Sequence, residues 1–158
     1  MRKRIVAPHP PRPRGESDHE WLDLEQIATI EVTPEDPDFP IESAFAPTDG
    51  AGWRASQKGE QQIRIIFDEP MSLHRIQLRF DEGESERTQE FPVRWCSASG
   101  GAAKEIVRQQ WSFSPAGSIT EIEDYAVNLE AVSALELAIQ PDLGRGEAVA
   151  TLAAWRLR

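Results

Sequence analysis

The sequence predicts an all-β fold, an antiparallel β-sandwich of about eight strands, on three observations. Apolar residues recur at every second position in run after run, clusters of turn-forming residues separate the runs, and no long helical periodicity lies between them. The runs are Ile63, Ile65 and Phe67; Ile76, Leu78 and Phe80; Phe91, Val93 and Trp95; Val107, Trp111 and Phe113, with Gln109 breaking the apolar set; Tyr125, Val127 and Leu129; Leu135, Leu137 and Ile139; and Val149, Thr151, Ala153, Trp155 and Leu157. In each, one parity is apolar and the other mostly polar, the period that sends successive side chains to opposite faces of a strand. Ile30 and Val32 add a further short strand.

Taken in chain order, residues 1–19 read as a flexible basic arm and residues 20–158 as the sandwich domain. The arm places prolines at 8, 10, 11 and 13, which favour extended, solvated backbone. Pro10-Pro11-Arg12-Pro13 has the spacing of a polyproline ligand, a pattern frequent by chance in such tails. Trp21, Leu24 and Ile27 or Ala28 recur at helical spacing behind a Ser17/Asp18 cap signal and lead into the strand at Ile30. From Thr33 to Gly52, Pro34, Pro37, Pro40, Pro47, Gly50 and Gly52 break any long element and predict a structured loop. Turns are expected at Asp68-Glu69-Pro70, Asp81-Glu82-Gly83-Glu84, Ser99-Gly100-Gly101, Ser114-Pro115-Ala116-Gly117 and Pro141-Asp142-Leu143-Gly144.

Composition excludes several classes. The 158 residues are 39% hydrophobic and 28% charged, the profile of a chain that folds in water around one core. The net charge is −10, and residues 1–14 hold Arg2, Lys3, Arg4, Arg12 and Arg14 with no acid, leaving 12 basic against 27 acidic residues in the rest. A body that acidic repels phosphate, so no nucleic-acid or anionic-membrane partner is expected for it. Cys96 is the single cysteine, which rules out an internal disulfide and gives no zinc-type Cys/His spacing. With no secretory-type apolar stretch at the start and no run of roughly 20 apolar residues, a cytoplasmic protein is expected.

The order of segments resembles discoidin-type modules of the galactose-binding-like superfamily, over residues 25 to 158. The opening, Ile30-Glu31-Val32-Thr33-Pro34-Glu35-Asp36, then Pro40-Ile41-Glu42-Ser43-Ala44-Phe45, then Asp49-Gly50-Ala51-Gly52-Trp53-Arg54-Ala55, is similar to the family's first strand, loop, short helical turn and buried Trp. Gln62-Ile63-Arg64-Ile65-Ile66-Phe67 followed by Leu73-His74-Arg75-Ile76-Gln77-Leu78 resembles its paired strands, and Leu135 to Ile139 with Ala150 to Leu157 its last two long strands. Residues 52–60 are also similar to a stretch in a galactose-binding-like domain of a DNA-repair scaffold that acts through protein contacts. The resemblance implies a jelly-roll sandwich and, for sugar-binding members, a calcium held by oxygens near the first loops and the last strand. Asp49, Glu35, Asp36 and Asp38 stand near such positions, but the last strand reads Thr151-Leu152-Ala153-Ala154-Trp155 without an acid, so no metal or other cofactor is expected.

Nothing in the chain assembles catalytic chemistry. His74 is the one histidine of the expected domain, and neither a Gly-x-Ser-x-Gly elbow nor a phosphate loop is present. The expected role is non-catalytic recognition of a carbohydrate or other polar ligand by loops at one end, through Trp53, Arg54, Arg87 and Gln89. For Trp53 the packing alternative is an indole plugging the core; Trp95, Trp111 and Trp155 follow core parity. The alternative role is an intracellular adaptor, with the outward-parity residues Arg64, Arg75, Arg79, Arg94 and Arg108 as partner surface or the arm as docking segment. A homodimer through that face would strengthen with salt, because the acidic bodies repel. The bland reading of the same face is a solvated ladder neutralised by neighbours such as Asp68, Glu82 and Glu90. Glu121, Glu123 and Asp124 read as a solvated connection.

Overall fold

A computed structural model describes residues 21–46 and 51–158. The basic arm, with its Ser17/Asp18 cap signal, and Asp49 lie outside the described residues. The elements run α1 (Leu24–Ile27), β1 (Ala28–Val32), α2 (Glu42–Phe45), β2 (Trp53–Lys58), β3 (Gln61–Asp81), β4 (Arg87–Ser97), β5 (Lys104–Phe113), β6 (Thr120–Ile139), β7 (Val149–Leu152) and β8 (Ala154–Leu157). All strand pairs are antiparallel, in the order β1-β3-β6-β4-β5 with β8 also on β3, while β2 and β7 form a separate pair. The fold is therefore the expected antiparallel sandwich.

The strands are partitioned differently from the sequence reading. Two of the expected strands merge across Asp68-Glu69-Pro70 into β3, and two more merge into β6. The β3–β6 register shifts between Ile66 and Arg75, so the long hairpin is bent rather than interrupted. Pro70 is tolerated because it falls inside this irregular stretch, where no ladder N–H is required of it. The buried set of β3 changes parity at the same place, from Ile63, Ile65, Phe67 and Leu73 to Ile76, Leu78 and Phe80. Beyond the bend β3 pairs with the first half of β6 and with β8; before it, with β1 and the second half of β6. Phe80, beyond the bend, packs on Phe91 of β4, the strand that pairs with the second half of β6, their ring centroids 4.9 Å apart.

Two further differences lie near the loop end. Residues 53–58, read as the exit of a loop, form strand β2 against β7. The expected last strand is split at Ala153, whose N–H donates to the carbonyl of Arg79 as the chain passes from β7 beside β2 to β8 beside β3. Trp53 and Trp155 are fully buried, while Trp95 and Trp111 are half-buried against the same core.

Candidate functional site

The site is built where β3 ends and β4 begins. Glu82 opens the connecting turn and its carboxylate closes it, accepting the N–H groups of Glu84 and Ser85 at 3.2 and 3.4 Å and Nε of Arg87 at 2.7 Å. Burial opposes ionisation of Glu82, but these hydrogen bonds outweigh it and hold the carboxyl below its usual range. Arg87 has a fully buried side chain. Its Nη1 donates to the carbonyl of Pro141 at 2.7 Å and to Oε1 of Gln89 at 3.2 Å, and its guanidinium lies 4.7 Å over the ring of Phe113. One guanidinium thus ties together the turn after β3 and the loop after β6.

That second loop is shaped by Asp142, which accepts the N–H of Gly144 at 2.9 Å and of Gly146 at 3.2 Å, and Leu143 N–H donates to the carbonyl of Thr88 at 2.8 Å. Between it and the β4–β5 ladder opens a groove of about 750 Å³, lined by Glu86, Arg87, Thr88, Gln110, Ser112, Phe113, Ser114, Asp142, Leu143 and Gly144. Hydroxyl, amide and carboxylate groups stand beside the apolar surfaces of Phe113 and Leu143. The Thr88 and Ser112 hydroxyls are 2.8 Å apart. A smaller concavity of about 200 Å³ is lined by Phe39, Ala51, Trp53, Arg54, Asp81, Thr151, Leu152 and Ala153. There Arg54 stacks 4.4 Å from the Phe39 centroid, and Trp53 Nε1 and Thr151 Oγ1 have no hydrogen-bond partner among the described residues.

The four residues expected to bind ligand are divided between these places. Trp53 and Arg54 line the small concavity, Arg87 lines the groove, and Gln89 lines neither. Trp53 packs into the core. Gln89 is wholly buried behind Arg87, its amide nitrogen donating to Oε1 of Glu121 at 2.7 Å. Glu121 corrects the expectation of a solvated connection: it lies on β6 and has no exposed surface. Burial and the neighbouring Glu123 carboxyl, opposed by Gln89 and Arg87, push its carboxyl up to about 8. The signal was in the sequence, because the inward parity of Tyr125, Val127 and Leu129 extends back to Glu123 and Glu121. Thr88, Gln110, Ser112, Asp142 and Leu143 sit on turns and solvent-facing parity and carried no such signal.

The arginine face is internally neutralised. Glu31, Arg64, Glu136, Arg94 and Glu105 stand in register on five neighbouring strands, with ion pairs of 3.6 Å (Arg64–Glu31), 3.2 Å (Arg64–Glu136) and 3.9 Å (Arg94–Glu105). Arg75 pairs with Asp124, Arg79 with Asp81 at 3.4 Å, and Arg108 with Glu90 and Glu105 at 3.0 and 2.9 Å. The hydrogen bond from Arg75 holds Asp124 below the usual carboxylate range against a small opposing effect of burial. Glu35 and Asp36 cap turns of the loop before α2, accepting the N–H groups of Ile41 and Asp38. Among the described residues, which do not include Asp49, no three His, Cys, Asp or Glu side chains gather as a group that could hold a metal ion.

Solved structures share this architecture. The family 32 carbohydrate-binding module of Clostridium perfringens NanJ, in complex with galactose, superposes with a TM-score of 0.63 at 12% identity, over 87% of this chain and 96% of that one. The fold is the galactose-binding-like β-sandwich. The family 32 module of AlyQ in complex with 4,5-unsaturated mannuronic acid gives 0.62 at 14% identity, over 87% and 97% of the two chains. A chitosan-binding module of a Paenibacillus sp. IK-5 chitosanase/glucanase gives 0.59 at 12%, over 83% and 94%. The same sandwich is matched within larger chains, as in a Ruminococcus gnavus fucosidase of which it covers 25%. No protein-family model and no curated protein matches the sequence.

Proposed function

We propose that the protein is a non-catalytic carbohydrate-binding module whose ligand occupies the groove beside Arg87. The observation that carries this reading is the lining: Thr88, Gln110, Ser112 and Asp142 offer hydrogen-bonding groups for sugar hydroxyls, while Phe113 and Leu143 offer apolar surface for the ring's C–H face. The walls are held before any ligand arrives, by Arg87 on Pro141 and by Asp142 on its own loop. Neighbours with the same fold, crystallised with galactose or with a uronate sugar, lend the reading support. The adaptor reading draws less from the arginine face, since carboxylates already answer its guanidiniums.

Calorimetric titration with galactose, N-acetylgalactosamine, glucosamine oligomers and uronate oligomers tests it. At least one should bind saturably, and Leu143→Ala and Ser112→Ala should each weaken that binding about tenfold, a loss of about 1.4 kcal/mol. No saturation across the panel would reject the reading.

A further inference from the structure

A seam of polar side chains leads from the groove into the interior, where a sandwich core is ordinarily apolar. Glu82 accepts from Arg87, Arg87 donates to Gln89, and Gln89 donates to Glu121. Glu123 and Tyr125 follow on the same face of β6, and the Tyr125 hydroxyl donates to Gln109 on β5 at 3.3 Å. Arg87, Gln89 and Glu121 are all buried. Two atoms within this seam, Nη2 of Arg87 and Oε2 of Glu121, have no partner among the described residues. The Gln89 amide stands between their two groups with both ends used.

We propose that Gln89 and Glu121 are positioning residues for the groove: while the Glu121 carboxyl is neutral it leaves Arg87 on Gln89 and Pro141, and its ionisation draws the guanidinium inward and releases the rim. This rests on the groove being the ligand site. The groups facing Glu121 decide the direction. Glu123 and Tyr125 come from its own strand, Arg87 from β4 with Glu82 behind it, while β3 presents Phe80 in register and β5 presents Gln109, Trp111 and Phe113. Arg87 is thus the one cation among them. A proton on Glu121 lets it sit beside Glu123 without repulsion. Once that proton leaves, two adjacent carboxylates share a poorly solvated space, and the attraction for the guanidinium is strong. Arg87 then turns toward Glu121 and gives up the Pro141 carbonyl, which loosens the loop carrying Asp142 and Leu143. With the carboxyl pushed up to about 8, the change falls within an accessible range.

The test uses the whole chain and begins without sugar. Backbone amide NMR from pH 6 to 9.5 should show Leu143 and Gly144 moving through one transition in the wild type. They should stay flat in Glu121→Gln, which keeps an acceptor for Gln89 but cannot ionise. Gln89→Leu should show the released rim at every pH. In calorimetry with galactose, affinity should fall about tenfold between pH 6.5 and 9 in the wild type and less than twofold in Glu121→Gln. A wild-type rim that does not titrate, or a Glu121→Gln rim that titrates like the wild type, would overturn the proposal. Galactose failing to bind at any pH would tell against that sugar in the groove, with the sugar-free rim titration still deciding the latch.

Discussion

Gly52 lies immediately before β2 with φ of 78°, and a Cβ there would stand 2.8 Å from the carbonyl oxygen of Leu152 and 2.9 Å from Cα of Ala153. Both obstacles are backbone of the β7–β8 junction and neither can rotate away. Gly52→Ala should therefore destabilise the protein by about 2 kcal/mol or more, combining a left-handed conformation with a clash, as measured by chemical denaturation. A glycine was expected here only as a loop breaker; the close approach comes from a strand about 100 residues later in the sequence. The same limit hid most of the groove. Arg87 was legible as a dense hydrogen-bonding position, but its three partners come from residues 82, 89 and 141, which no local pattern brings together.

At the scale of elements, the bend shared by β3 and β6 organises the molecule. Ala131 sits in it with φ of 54°, next to the register shift that separates Leu73↔Leu129 from Met71↔Val132. An L-residue in that region carries about 1 kcal/mol or more of strain, which glycine removes at a smaller entropic cost. Ala131→Gly should raise stability by about 0.5 kcal/mol, whereas Ala126→Gly, in the regularly paired part of the same strand, should lower it by a similar amount; paired denaturation curves check both. Alternation alone reads each half of the hairpin correctly and breaks it at Pro70, because a bulged strand and a turn leave the same interruption in a period of two. The β7–β8 division is invisible for another reason: apolar residues occupy both parities from Val149 to Ala154, so the switch of the buried set from Ala150 and Leu152 to Trp155 and Leu157 leaves no gap in the pattern.

For the whole molecule the consequence is a pH dependence with a definite sign. Glu121 has its folded pKa raised from 4.5 to about 8, so the stability it contributes is complete below about 4.5 and is lost as pH rises toward 8. Glu82 and Asp124, held low, contribute stability above their unfolded values and lose it as pH falls through their folded ones. Urea denaturation should show the wild type losing stability relative to Glu121→Gln between pH 5.5 and 8, by about 1.4 kcal/mol per pH unit at most, and a constant difference would refute the assignment. The alternating runs by themselves determined the all-β class, the antiparallel pairing and most of the core, because burying one face of each strand is a local demand written at every second residue. Only the folded structure decided which strands are continuous, that Gln89 meets Glu121 in the interior, that the outward arginines meet carboxylates on neighbouring strands, and that a buried guanidinium closes the groove. Those outcomes depend on which distant segments come to lie side by side, and contacts of that kind leave no period in the chain.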